Sequence, residues 1–150
     1  MTDQTLRNRL LEDAAKRPVI LSDCERVIED EVNSKSGLSG VVIKTAFKVV
    51  RKIKPGFIRE SMDNLLDDFV HRIEPFYEQY QSASPTGSFG ASLVKEKAQV
   101  ADALLGITDE RAQKAPNGAA KDAYEKLRPQ AKKHVEQAIP RVSQLLDKHL

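Results

Sequence analysis

The sequence predicts an all-α, single-domain bundle of about six helices, several of them kinked at proline, and three observations lead there. Apolar residues recur at three- and four-residue spacing along most of the chain, with no run that alternates as a half-buried strand would. Trp is absent and aromatics make up only 5% of residues, so a core has to be built from Leu, Val, Ile and Ala, which suits packed helices. Proline, glycine and serine collect in short stretches that punctuate the periodic segments.

Thr2 or Asp3 can cap a first helix carrying Leu6, Leu10, Leu11 and Ala14, which ends near Arg17 because a residue before proline disfavours helix. A second helix starts at Pro18, or at Ser22 with Glu25 three residues on, and turns Val27, Ile28 and Val32 inward as far as Asn33. SKSGLSG then forms a loop feeding a third helix, about Ser39 to Lys54. On it Val42, Ile43, Ala46, Phe47, Val49, Val50 and Ile53 fall in an arc of roughly 160°, opposite Lys44, Lys48, Arg51 and Lys52. One face is expected to pack on a core and the other to carry only positive charge.

Pro55 and Gly56 end that helix, and a fourth runs from Phe57 with Ile58, Met62, Leu65, Leu66, Phe69, Ile73, Phe76 and Tyr80 on one side. Its spacing continues through Pro75, where a kink or one-turn restart is expected. QSASPTGS, ending at Ser88, reads as a linker. A fifth helix carries Phe89, Leu93, Val94, Val100, Ala101, Leu104 and Leu105 toward Lys114, and APNG at 115–118 forms a turn. The last segment, with Ala120, Tyr124, Leu127, Ala131, Val135, Ala138, Val142 and Leu145, reads as one long helix bent at Pro129 and Pro140.

A shift of 77 residues aligns Lys44, Ala46, Phe47, Val50 and Arg51 with Lys121, Ala123, Tyr124, Leu127 and Arg128. Two readings follow: related halves, 1–81 and 88–150, joined by 82–87, or a coincidence of period that any two amphipathic helices show. One domain spanning 1–150 is the expectation in either case, since 150 residues suffice for a core without disulfide or metal.

Charge is blocked along the chain. Val32 to Arg59 holds seven Lys or Arg and no acid, whereas Glu60 to Glu78 holds six acids and one Arg, although the net charge is only +2. The single cysteine, Cys24, excludes an intrachain disulfide and fits a reducing, cytoplasmic setting. No apolar run approaches the ~18 residues that span a bilayer, and the first residues are charged on both sides of Leu10 and Leu11 without a continuous apolar segment, so a cytoplasmic protein is the expectation.

Tests for chemistry come out negative. Gly40 and Lys44 do not reproduce the phosphate-loop spacing, His71, His134 and His149 lack metal-ligand spacing, and no GxSxG elbow occurs. Cys24 lies between Asp23 and Glu25, whose charges disfavour a thiolate. No catalytic residue, metal or cofactor is expected.

What remains are two basic faces, Lys44, Lys48, Arg51 and Lys52 in the first half and Lys121, Arg128, Lys132 and Lys133 in the second. They can pair with acidic helices inside the chain, meet a nucleic acid backbone, or dock on a protein or anionic surface. The reading favoured is a non-catalytic interaction protein that binds a protein or anionic partner through these faces. The alternatives are a small enzyme or phosphometabolite-binding protein with a pocket between the halves, and a non-specific nucleic-acid binder. Homodimerisation against the acidic helix of a second copy is equally compatible.

With KSGLSG at 35–40 extended from Lys35, IKTAFK from Ile43, KPG from Lys54 and AKKHVE from Ala131, the chain resembles an uncharacterised, mostly actinobacterial family of proteins of about this length, described only as a domain of unknown function. The likeness covers the whole chain. It implies a free-standing bacterial cytoplasmic protein and no catalytic residues.

Overall fold

The computed structural model describes residues 5–83, 86–114 and 118–150. Among them are seven helices and no strand: α1 (Leu6–Leu11), α2 (Lys16–Ser34), α3 (Gly37–Ile53), α4 (Phe57–Ser82), α5 (Phe89–Lys95), α6 (Lys97–Gln113) and α7 (Gly118–His149). Thr2 and Asp3, part of the 82–87 linker and most of the APNG turn lie outside the described residues.

The first boundary differs from the expectation. Thr5 caps α1 by accepting the Asn8 N–H at 3.0 Å, and α1 stops at Leu11 and not near Arg17. Asp13 Oδ1 accepts the Ala15 N–H at 2.9 Å in the turn that follows. Pro18 then falls in the first turn of α2, where its missing N–H would have had no helical partner anyway. Proline here opens a helix, in line with the reading that starts the second helix at Pro18, whereas the first helix ends six residues before Arg17. The N-terminus of α1 is fixed by Glu74 of α4, which accepts the N–H groups of Leu6 at 2.8 Å and Arg7 at 3.1 Å.

Of the expected SKSGLSG loop only Lys35 and Ser36 lie outside helix, since α2 runs to Ser34 and α3 begins at Gly37. The turn into α4 depends on Gly56, whose φ of +82° is a left-handed conformation that glycine adopts without steric cost. From there α4 runs through Pro75, and α7 runs through Pro129 and Pro140. All three prolines stand on exposed sides, where water can satisfy the carbonyls that lose a helical N–H.

The expected fifth helix is two, α5 and α6, broken at Glu96 (φ −112°, ψ 29°). The break seats the short α5 against α7. Asp147 of α7 accepts the Gly90 N–H at 2.8 Å, and a Cβ on Gly90 would lie 2.7 Å from the Ser143 carbonyl oxygen. Close approach of the two helices therefore requires glycine at that position.

A single buried cluster joins Leu6 and Leu10 of α1, Ile20 and Leu21 of α2, Leu66, Val70, Ile73 and Tyr77 of α4, Phe89 and Leu93 of α5, Val100 of α6, and Ile139 and Leu146 of α7. Tyr77 meets Phe89 edge-on at 4.9 Å between ring centroids, the geometry that aromatic quadrupoles favour. At the far end of α7, Asp23 of α2 accepts from Lys148 at 3.1 Å and pairs with His149 at 2.6 Å. Burial alone would raise its carboxyl, but these hydrogen bonds and the adjacent charges hold Asp23 below its ordinary range. No residue of α3 belongs to the cluster.

Candidate functional site

The basic helix is the least covered element of the bundle. Only Ile43, Lys44, Phe47 and Val50 of its described side chains are half-buried, and none is buried. Of the seven apolar residues expected to face a core, Val42, Ala46, Val49 and Ile53 are exposed instead, Ile53 at 77%. The reason is that the remaining helices close the core without α3, which leans on the edges of α2 and α4 through one narrow side.

The result is a helix with three faces. Ile43, Phe47 and Val50 look inward; Leu38, Val42, Val49 and Ile53 recur at helical spacing along an uncovered apolar stripe; Lys44, Lys48, Arg51 and Lys52 form the basic side. Leu38 is 89% exposed.

The charges of α3 are also largely uncommitted. Arg51 lies 3.9 Å from Glu29 and over the ring of Phe47, but Lys44, Lys48 and Lys52 make no ion pair with the described residues. The acids of α4 are engaged elsewhere: Asp63 and Asp67 with Arg17 at 2.7 and 3.3 Å, Asp68 with Arg111 at 3.9 Å, and Glu74 with the start of α1. Only Lys54, past the end of α3, reaches an acid of α4, Glu60 at 3.6 Å.

The second basic face is arranged differently. Arg128 donates two hydrogen bonds to Asp109 of α6, at 2.8 and 2.9 Å, and lies 3.6 Å from Asp102. Lys132 reaches Asp102 at 3.0 Å. Hydrogen bonds from Arg128 outweigh burial and, with one from Tyr124, hold the Asp109 carboxyl below its ordinary range. Lys121 is half-buried and Lys133 exposed, neither in an ion pair with a described residue.

Beside α3 lies a feature the charge pattern did not announce. A half-open cavity of about 550 Å³ runs between α2, α4 and α7, lined by Val27, Ile28, Leu66, Phe69, Val135 and Ala138 among other apolar side chains, and α3 touches it through Ile43. Its walls come from both sides of the Gln81–Ser88 stretch. Cys24 is in the lining, where burial, then the charges of Asp23 and Glu25, push the thiol up to about 11. That thiol is a packing group, not a nucleophile at neutral pH.

At one end the cavity abuts a second, polar pocket: Glu31, Lys35 and His134 stand at the junction of the two, and Gln137 and Arg141 line only the polar one. Lys35 donates to Glu31 at 3.2 Å and to Gln137 at 2.6 Å, and Arg141 donates to the other oxygen of Glu31 at 3.0 Å. His134 lines the same end, and its Nδ1 is sealed from solvent without a hydrogen-bond partner. Sequence reasoning passed over Glu31, Lys35, His134 and Arg141 as site residues, because they converge from segments more than a hundred positions apart. Lys35 carried the only signal, its place at the glycine-containing break before α3.

Among the described residues no group of His, Cys, Asp and Glu is placed to hold a metal ion, and no helix is long and apolar enough to cross a membrane. No curated protein and no solved structure matches the chain. The model of a family of unknown function, DUF6918, matches residues 6–150.

Proposed function

We propose, from the premise that the chain belongs to DUF6918 and takes no activity from that family, that it is a non-catalytic interaction protein docking through α3 on an anionic lipid surface. The observation that carries this reading is the coexistence on α3 of an uncovered apolar stripe, Leu38, Val42, Val49 and Ile53, with three lysines that pair with no acid among the described residues. A helix of that kind lies in a membrane interface with its apolar stripe among the acyl chains and its lysines reaching to the headgroups. The second basic face is outside the proposal in its larger part, because Arg128 and Lys132 are occupied by Asp109 and Asp102. A bacterial cytoplasmic setting, as the actinobacterial likeness of the motifs implies, offers the inner face of an anionic membrane.

Vesicle flotation tests this. The protein is expected to float with vesicles rich in anionic phospholipid and not with neutral ones, and to detach as salt rises. Each lysine near such a surface contributes ~1 kcal/mol, so Lys44→Gln, Lys48→Gln and Lys52→Gln together weaken binding about a hundredfold. No flotation at low salt defeats the proposal. Salt-sensitive binding to labelled duplex DNA without vesicle binding would replace it with a nucleic-acid reading.

A further inference from the structure

We infer that the cavity between α2, α4 and α7 is a binding site for a single-chain amphiphile, an unbranched acyl chain of the fatty-acid class carrying one negative charge at its head. Three observations converge on that chemistry. The walls are apolar side chains of α1, α2, α4 and α7 with no charge along their length, so the body of the ligand must be hydrocarbon. The volume is about 550 Å³. An apolar cavity of ~150 Å³ takes up benzene, which by proportion leaves room here for on the order of twenty carbon atoms.

The third observation is the polar end. Lys35 and Arg141 face a single carboxylate, Glu31, so this end carries one positive charge in excess. The Lys35 and Glu31 side chains are only 10% and 12% exposed and that of Arg141 38%, so the cluster's excess charge is partly buried, and an anionic head would neutralise it. His134 Nδ1, at the same place, is a buried polar atom without a hydrogen-bond partner among the described residues. A phosphorylated sugar or nucleotide would have to leave its polar groups unpaired against the apolar walls.

This inference stands on the cavity and not on the docking of α3, and its test uses no vesicles. The full chain, stripped of lipid, is titrated by calorimetry with carboxylates from octanoate to octadecanoate below their micelle concentrations. Affinity is expected to rise about fourfold per added methylene and to level off as the chain approaches on the order of twenty carbons. Lys35→Met is expected to weaken hexadecanoate about tenfold or more while leaving hexadecanol unchanged. Ala138→Phe, which places a ring in the cavity, is expected to abolish binding of both.

Absence of saturable binding, or affinity independent of chain length, overturns the inference. So does undiminished binding by an Ala138→Phe protein that keeps cooperative unfolding. Self-association in place of fatty-acid uptake would assign the groove to a second copy instead. If Ala138→Phe does not fold, the chain-length series on the unmodified protein and the Lys35→Met comparison of acid with alcohol still decide.

Discussion

The two basic faces begin from nearly the same sequence, a Lys-x-Ala-aromatic start followed by an arginine seven residues after the lysine, and end in opposite circumstances. On α7, Arg128 and Lys132 lie against α6, whose Asp102 and Asp109 occupy the facing positions. On α3, Lys44, Lys48 and Lys52 form no ion pair with a described acid, and of the α4 carboxylates Asp63, Asp67, Asp68 and Glu74 are held by Arg17, Arg111 and the N-terminus of α1. A run of lysines at helical spacing specifies a charged face. Whether that face is part of the scaffold or is left free for a partner depends on what the neighbouring helix presents to it.

The comparison can be broken first through the apolar residues. Leu93 is completely buried in the main cluster, so Leu93→Ala should cost about 2–5 kcal/mol. Val42→Ala, removing a methyl-bearing side chain of the same class from the exposed stripe of α3, should stay within about 0.5 kcal/mol. Urea unfolding of both variants measures the difference; a large loss in Val42→Ala would mean that α3 is packed far more tightly than its exposure indicates.

A smaller effect separates α5 from its counterpart turns. Gly90→Ala drives a methyl group toward the Ser143 carbonyl and the Asp147 carboxylate, and overpacking of that kind costs about 1–3 kcal/mol. Gly87, with open space around it apart from the Ala91 side chain at 4.0 Å, should accept the same change almost silently. Thermal melts of the pair test whether α5 and α7 are locked together as closely as described.

The charged faces themselves differ by still less. Asp109→Ala, which strips Arg128 of both of its short hydrogen bonds, should lose about 1 kcal/mol, since the pair is screened by its partial exposure, against a near-neutral outcome for Lys48→Gln. The pH dependence sharpens this. The folded pKa of Asp109 is depressed below its unfolded value of about 3.9, so its stabilisation is complete above that pH and is lost as pH falls through the lower folded value. Asp109→Asn should therefore flatten the acid limb of a stability profile, and the three α3 lysine substitutions should leave that limb unchanged. Equal flattening by both would erase the distinction between the faces.

The smallest effect concerns Cys24. With its thiol near 11 and its side chain in the cavity wall, alkylation at pH 8 should be slow, and the rate should rise as pH approaches that value. Fast labelling at neutral pH would mean that the cavity opens readily to water.

Much of the fold was legible because it rests on local chemistry. The three-four spacing of Ile58, Met62, Leu65, Leu66, Phe69 and Ile73 gives a helix wherever it is placed, and Gly56 stops and turns the chain for reasons internal to the residue. The break at Glu96 was not legible, since Leu93 and Val100 keep helical phase across it, and it accompanies the seating of Gly90 on Ser143, which is a tertiary contact. The basic faces were legible as candidates; the cavity was not, because its polar end is assembled from Glu31, Lys35, His134 and Arg141, which no sequence window contains together.

The sequence by itself determined that this chain is helical, which residues share each helix face, and that α3 carries apolar and basic sides. Only the tertiary structure decided which faces were covered. Helical phase is a one-dimensional property carried by neighbours three and four residues apart, whereas burial and charge pairing depend on what other helices bring to the same place. Asp109 reached Arg128 and left Lys48 alone, and six helices closed a core that had no position for Val42 and Ile53.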